Sequence, residues 1–135
     1  MSEKIHGTCL CGKVSYRVGN NFSDFYFCHC QQCQKVSGSA FAANLLTSVD
    51  NIEWLSGQQF LKRFEYPGRN FTKVFCTECG SGLPFVNQSG KALIIPAGSL
   101  DQGLNFKVDH NIFWAERANW YEEGVKAPSC SGYAD

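Results

Sequence analysis

The chain has 135 residues, twelve basic and twelve acidic, so its formal net charge is zero. No basic run exceeds Lys62-Arg63 and no apolar run approaches the roughly 18 residues of a membrane helix, which excludes recognition of nucleic acid or an anionic membrane by bulk charge, and a helical span. A chain this short fits one domain whose core alone stabilises it only modestly, so a further staple is expected.

The opening Met1-Ser2-Glu3-Lys4 lacks the apolar stretch of a signal peptide, and the expected location is cytoplasmic. In a reducing compartment the clustered cysteines, seven of the eight, read as metal ligands rather than disulfides. The sequons Asn21-Phe22-Ser23, Asn70-Phe71-Thr72 and Asn87-Gln88-Ser89 then carry no meaning.

In chain order, Cys9-Leu10-Cys11 comes first, followed by Gly12 to Val18, where Val14, Tyr16 and Val18 alternate with polar residues in the period of a half-buried strand. Phe25-Tyr26-Phe27 is a short strand running into Cys28-His29-Cys30 and Cys33. A helical turn is expected through Gln31-Gln32-Cys33-Gln34-Lys35, stopped by Gly38. Strands are expected over Ala40 to Leu46, Phe60 to Tyr66 and Phe71 to Phe75, the last leading into Cys76-Thr77-Glu78-Cys79, and then over Leu83 to Val86 and Ala92 to Ile95. Ser56-Gly57, Pro67-Gly68, Ser89-Gly90 and Gly98-Ser99 mark turns. A second helical stretch is expected near Ala115 to Glu122, and Cys130 stands alone near the end. These readings describe a mostly β, single zinc-stapled domain over residues 1–135 with short helical turns. The eleven Phe and three Trp residues are expected in its core, since the basic neighbours of a base-stacking surface are missing.

Zinc takes four ligands; a structural site fills all four from the protein, and a catalytic site leaves one open. Seven clustered cysteines divide into four and three. Cys11 and Cys79 are each followed by glycine, Gly12 and Gly80, as in a tight knuckle around a metal. That pairs Cys9 and Cys11 with Cys76 and Cys79 in a closed site and leaves Cys28, Cys30 and Cys33 for an open one. Three thiolates make zinc a weak Lewis acid, better suited to binding a thiol than to making hydroxide. A thiolate held there can meet an aldehyde carbon, and the reverse step cleaves a carbon–sulfur bond. The alternative is a non-catalytic, zinc-stabilised binding module, the eighth ligand place being filled by Cys130, His29 or water.

Three blocks, Gly7-Thr8-Cys9-Leu10-Cys11-Gly12-Lys13-Val14, Cys28 to Gly38, and Phe75-Cys76-Thr77-Glu78-Cys79-Gly80, resemble the glutathione-dependent formaldehyde-activating enzyme family, which also contains centromere protein V. Ala97 to Asp101 and His110 to Phe113 also resemble family positions. The resemblance implies an Mss4-like (β-tent) fold, a structural zinc at Cys9, Cys11, Cys76 and Cys79, and a second zinc at Cys28, Cys30 and Cys33, where having only three ligands would leave the ion labile. It further implies carbon-sulfur lyase activity of the S-hydroxymethylglutathione type, with glutathione or its aldehyde adduct as the small-molecule partner.

Other residues have plainer readings. His29, between two ligand positions, is expected to point away from their centre, toward a supporting or solvent role. Lys13 and Lys35 can offset thiolate charge or be simply solvated. Ser37-Gly38-Ser39 reads as a helix stop, Asp101 as a turn residue and Cys130 as a free thiol.

Overall fold

The protein, seen in a computed structural model that describes residues 3–134, is built of strands joined by short turns. The chain runs β1 (Lys4–Thr8), β2 (Ser15–Gly19), β3 (Asp24–Cys28), α1 (Gln31–Ser37), β4 (Ala42–Thr47), β5 (Glu53–Ser56), β6 (Leu61–Glu65), β7 (Thr72–Cys76), β8 (Gly82–Leu83), β9 (Phe85–Val86), β10 (Leu93–Pro96), β11 (His110–Ile112) and α2 (Tyr121–Lys126). Single 3-10 turns lie at Gln58–Phe60, Ala97–Ser99 and Trp114–Glu116.

Alternation places the side chains. In β2, Tyr16 and Val18 are buried between half-buried Ser15 and Arg17. In β7, Thr72, Val74 and Cys76 are buried, while Lys73 and Phe75 face the other way and stay half-buried. The strands form three sheets, in the orders β1-β2-β5, β11-β3-β4-β10-β9 and β6-β7-β8. All pairings are antiparallel except β11 on β3, which sets Asn111 beside Phe27 and Ile112 beside Cys28. Ile5, Tyr16 and Val18 from the first sheet, Leu45, Leu93 and Ile95 from the second, and Val74 and Leu83 from the third meet in one buried cluster. Each fully buried aliphatic side chain there contributes about 1.5–3 kcal/mol.

The expected helical turn after Cys30 is present as α1, and Gly38 ends it in the left-handed region at φ +64°, its N–H bonding Gln34 O at 2.8 Å. Ser37-Gly38-Ser39 is thus a helix stop. Three strands lay outside the sequence expectation. β1 carries only Ile5 and Gly7 on its buried face, β5 is largely exposed, and β11 is three residues held by tertiary pairing. The run expected over Leu83 to Val86 is broken at Pro84, which has no N–H to donate to a ladder. The second helical stretch divides into the 3-10 turn at Trp114–Glu116 and α2, which starts later than expected. The aromatic residues are not all core: Phe22 and Phe25 are buried, but Phe113 and Trp120 are each 57% exposed.

Candidate functional site

Two cysteine clusters form, and different local structures make them. The first comes from two knuckles. Cys9 to Gly12 links β1 to β2, and Cys76 to Gly80 links β7 to β8, so the cluster joins the first and third sheets. Gly12 N–H bonds Cys9 O at 3.0 Å, and Gly80 N–H bonds Cys76 O at 2.7 Å. The knuckles are also tied directly: Leu10 N–H donates to Ser81 Oγ at 2.9 Å, and Lys13 Nζ meets Glu78 Oε1 at 3.0 Å. That ion pair is exposed and worth little in stability, but it occupies Lys13.

The second cluster is made at a strand-to-helix junction. β3 delivers Cys28, buried, at its last position. Cys30 is the N-cap of α1, with extended backbone (φ −65°, ψ 156°), and its sulfur accepts the N–H of Cys33 at 3.3 Å. An N-cap side chain and the side chain three residues later meet over the first helical turn, which is why Cys-x-x-Cys brings two sulfurs together here. Gln34 braces the turn by donating its amide to His29 O at 2.8 Å.

The sulfurs of Cys9, Cys11, Cys76 and Cys79 lie within 4.8 Å of one another, as do those of Cys28, Cys30 and Cys33. Cys9 and Cys11 are 3.5 Å apart and Cys11 and Cys76 3.9 Å, with every cysteine a free thiol. Four sulfurs around zinc at about 2.3 Å sit about 3.8 Å apart, so the separations fit a tetrahedral thiolate site and are far too long for disulfides. The proton distribution points the same way. Hydrogen bonding from the Ser81 hydroxyl holds the Cys79 thiol down to about 5, and the Cys33 thiol holds Cys28 down to about 6. Cys33 is pushed well up by the same bond and by burial. In each cluster at least one thiol is held down and another is pushed up, Cys11 to about 11 in the first, and a soft divalent cation among the sulfurs would offset the cost of removing the later protons.

Burial does not follow the division by ligand number. Cys11 in the four-thiol set is exposed, while Cys28 and Cys33 in the three-thiol set are buried. Access differs instead by cavity. An open cavity of about 1130 Å³ between the second and third sheets is lined by Cys28, Cys30 and Cys33, but by only Cys9 of the other set.

His29 points away from the sulfurs and is fully buried, not solvated. Its Nε2 bonds Asn111 Oδ1 at 2.8 Å, Nδ1 has no partner among the described residues, and its ring packs among Phe41, Trp114 and Tyr121 at 5.5, 5.0 and 4.9 Å. Asn111 was visible in sequence only as part of the His110 to Phe113 block; Phe41, Trp114 and Tyr121 carried no spacing signal. Asp101 accepts the Thr8 hydroxyl at 2.8 Å at the cavity edge. Cys130 is exposed and joins neither cluster.

Comparison with known proteins agrees. A Halomonas elongata protein, provisionally named a glutathione-dependent formaldehyde-activating enzyme, is 26% identical over 141 aligned positions, covering 97% of this chain and 89% of that one. The crystal structure of a Rhodobacter sphaeroides protein superposes with a TM-score of 0.61 at 23% identity, covering 79% of this chain and 100% of that one, which speaks for the fold. The family described as glutathione-dependent formaldehyde-activating enzyme matches residues 4–116. With three cysteine blocks and a mostly β fold inside that span, the chain belongs to the glutathione-dependent formaldehyde-activating enzyme family.

Proposed function

We propose that this chain is a zinc-dependent carbon–sulfur lyase that makes or breaks an adduct between a thiol and an aldehyde, of the S-hydroxymethylglutathione type. In this reading residues 1–135 act as one zinc-binding domain in the cytoplasm. Cys9, Cys11, Cys76 and Cys79 hold a structural zinc, and Cys28, Cys30 and Cys33 hold a catalytic one. The observation that carries the reading is that the set with one ligand too few is the set that lines the cavity.

When bound at the three thiols, zinc would supply acidification of an incoming thiol and a place to hold its sulfur. The chain's own residues do the rest. Cys30 and Cys33 are fixed by the first turn of α1, and Cys28 by the end of β3, so the three sulfurs are preorganised without ordering a loop. Phe41 and Phe113 line the apolar side of the same cavity, where they exclude water from a reacting carbonyl. The eight free cysteines suit a compartment that keeps thiols reduced.

The test is exchange between formaldehyde, glutathione and their adduct, followed by NMR on zinc-loaded protein. Faster exchange with the native chain than with Cys30→Ser supports the reading; equal exchange rejects it. A second reading, a binding module without chemistry, draws on the exposed Phe113 and Trp120. Two zinc ions per chain that never respond to millimolar glutathione would favour it.

A further inference from the structure

The cavity beside the three-thiol cluster has four charged side chains on its wall, Arg69, Lys73, Asp101 and Glu116, and they are not equivalent. Asp101 accepts the Thr8 hydroxyl, and Glu116 accepts the Gln31 backbone N–H at 3.1 Å. Arg69 stacks over the Tyr66 ring at 4.7 Å, and neither it nor Lys73 enters any of the four ion pairs found among the described residues. Asp101 and Glu116 enter none of those ion pairs either, but they and Arg69 are exposed, and Lys73 alone of the four is half-buried.

Lys73 is the more telling of the two cations. It stands on β7, half-buried, on the face opposite Val74 and Cys76. A half-buried ammonium without a counter-ion is costly and marks a place where an anion is expected. Burial lowers its proton affinity, and it lines the same cavity as Cys28, Cys30 and Cys33. Its Nζ lies against Gly82 on the neighbouring β8. A Cβ at Gly82 would fall 2.8 Å from Lys73 Nζ, whereas the next atoms are 3.7 and 3.8 Å away.

Resting on the reading of this site as a thiol site, we propose that Lys73 is a specificity-determining residue that binds a carboxylate of the thiol substrate while the sulfur lies at Cys28, Cys30 and Cys33. The site would therefore prefer acidic thiols, such as a peptide thiol with a free carboxylate, over neutral ones. The competing role for Lys73 is to balance charge: three thiolates on a divalent cation leave one negative charge, and a fourth thiolate adds another. That role favours every thiol equally. Carboxylate recognition favours only those that carry one.

The two roles are separated by binding. Glutathione and its diethyl ester are titrated into zinc-loaded protein by calorimetry, with zinc content and circular dichroism checked for each variant. Lys73→Met is expected to weaken glutathione about tenfold, the loss of one charge-assisted contact, and to leave the ester unchanged. Lys73→Arg should restore most of the loss. Equal weakening of glutathione and ester overturns the proposal in favour of charge balance, and no change in either overturns it in favour of an ordinary solvated lysine. If the native chain binds glutathione in this charge-dependent way but does not accelerate formaldehyde exchange, the lyase reading fails and the role of Lys73 stands. If it binds neither thiol, both fall.

Discussion

Gly12 and Gly80 occupy matching places in the two halves of the four-cysteine cluster, at φ +81° and +78°, each following the last cysteine of its pair. Each donates its N–H back to the carbonyl of the first cysteine, Cys9 or Cys76. The second half of the cluster repeats the first, although 65 residues separate Cys11 from Cys76.

A backbone prediction follows from that repeat. No atom lies within 4 Å of a Cβ placed at Gly80, so Gly80→Ala meets no clash and reports only the cost of the left-handed conformation. The expected loss is about 1–2 kcal/mol, read from urea denaturation of the zinc-loaded chain. An unchanged midpoint would show that the knuckle has another conformation available.

The two clusters should separate under mutation. Cys76 is fully buried and joins two sheets, so Cys76→Ser should lower thermal stability by several kcal/mol. Cys30→Ser should keep the fold and lower zinc from two ions to one per chain, with loss of formaldehyde exchange. Elemental analysis beside a thermal melt reads both, and equal unfolding of the two variants would count against the division.

Asn111→Ala should cost about 1–3 kcal/mol, because it leaves both ring nitrogens of the buried His29 without a partner. Asn111→Asp retains an acceptor and should recover much of the loss. Chemical denaturation compares the three chains; equal stability of Asn111→Ala and the native chain would mean that the bond contributes nothing.

Stability should also fall in alkali. Burial pushes the Tyr16 phenol up to about 12, with its hydroxyl bonded to Ser99 partly opposing the shift. Because the folded state holds this proton more tightly than the unfolded chain, the stabilisation is fully present below pH 10 and is lost as the pH rises toward 12. The loss amounts to about 3 kcal/mol. Tyrosinate absorbance should show a late phase to which Tyr26, raised by its bond to Asp24, also contributes, and Tyr16→Phe should remove the Tyr16 share of it.

The clusters were legible in sequence because their ligands lie close along the chain. Cys-x-x-Cys at a helix start and Cys followed by glycine are local geometries, and local geometry is what spacing encodes. Gly38 as the stop of α1 was readable for the same reason, through its backbone conformation alone. The strands with clear alternation, such as β2 and β7, were readable because one face of each is buried. β1, β5 and β11 were not, since short or exposed strands carry little pattern and owe their form to a neighbour's unpaired edge.

By itself, then, the sequence determined the residue types that could hold a metal, their grouping into local pairs and triplets, and the β character of the chain. All three depend on contacts within a few residues. Only the tertiary structure decided which sheets the four-thiol cluster joins, that the three-thiol cluster lines the cavity, and that His29 turns away into a pocket closed by Trp114 and Tyr121. It also decided that Lys73, forty residues beyond Cys33, stands on the same cavity wall outside every ion pair found among the described residues. Those relationships cross between sheets, where burial and the loss of solvent screening set the energy of each group and residue spacing carries no record of them.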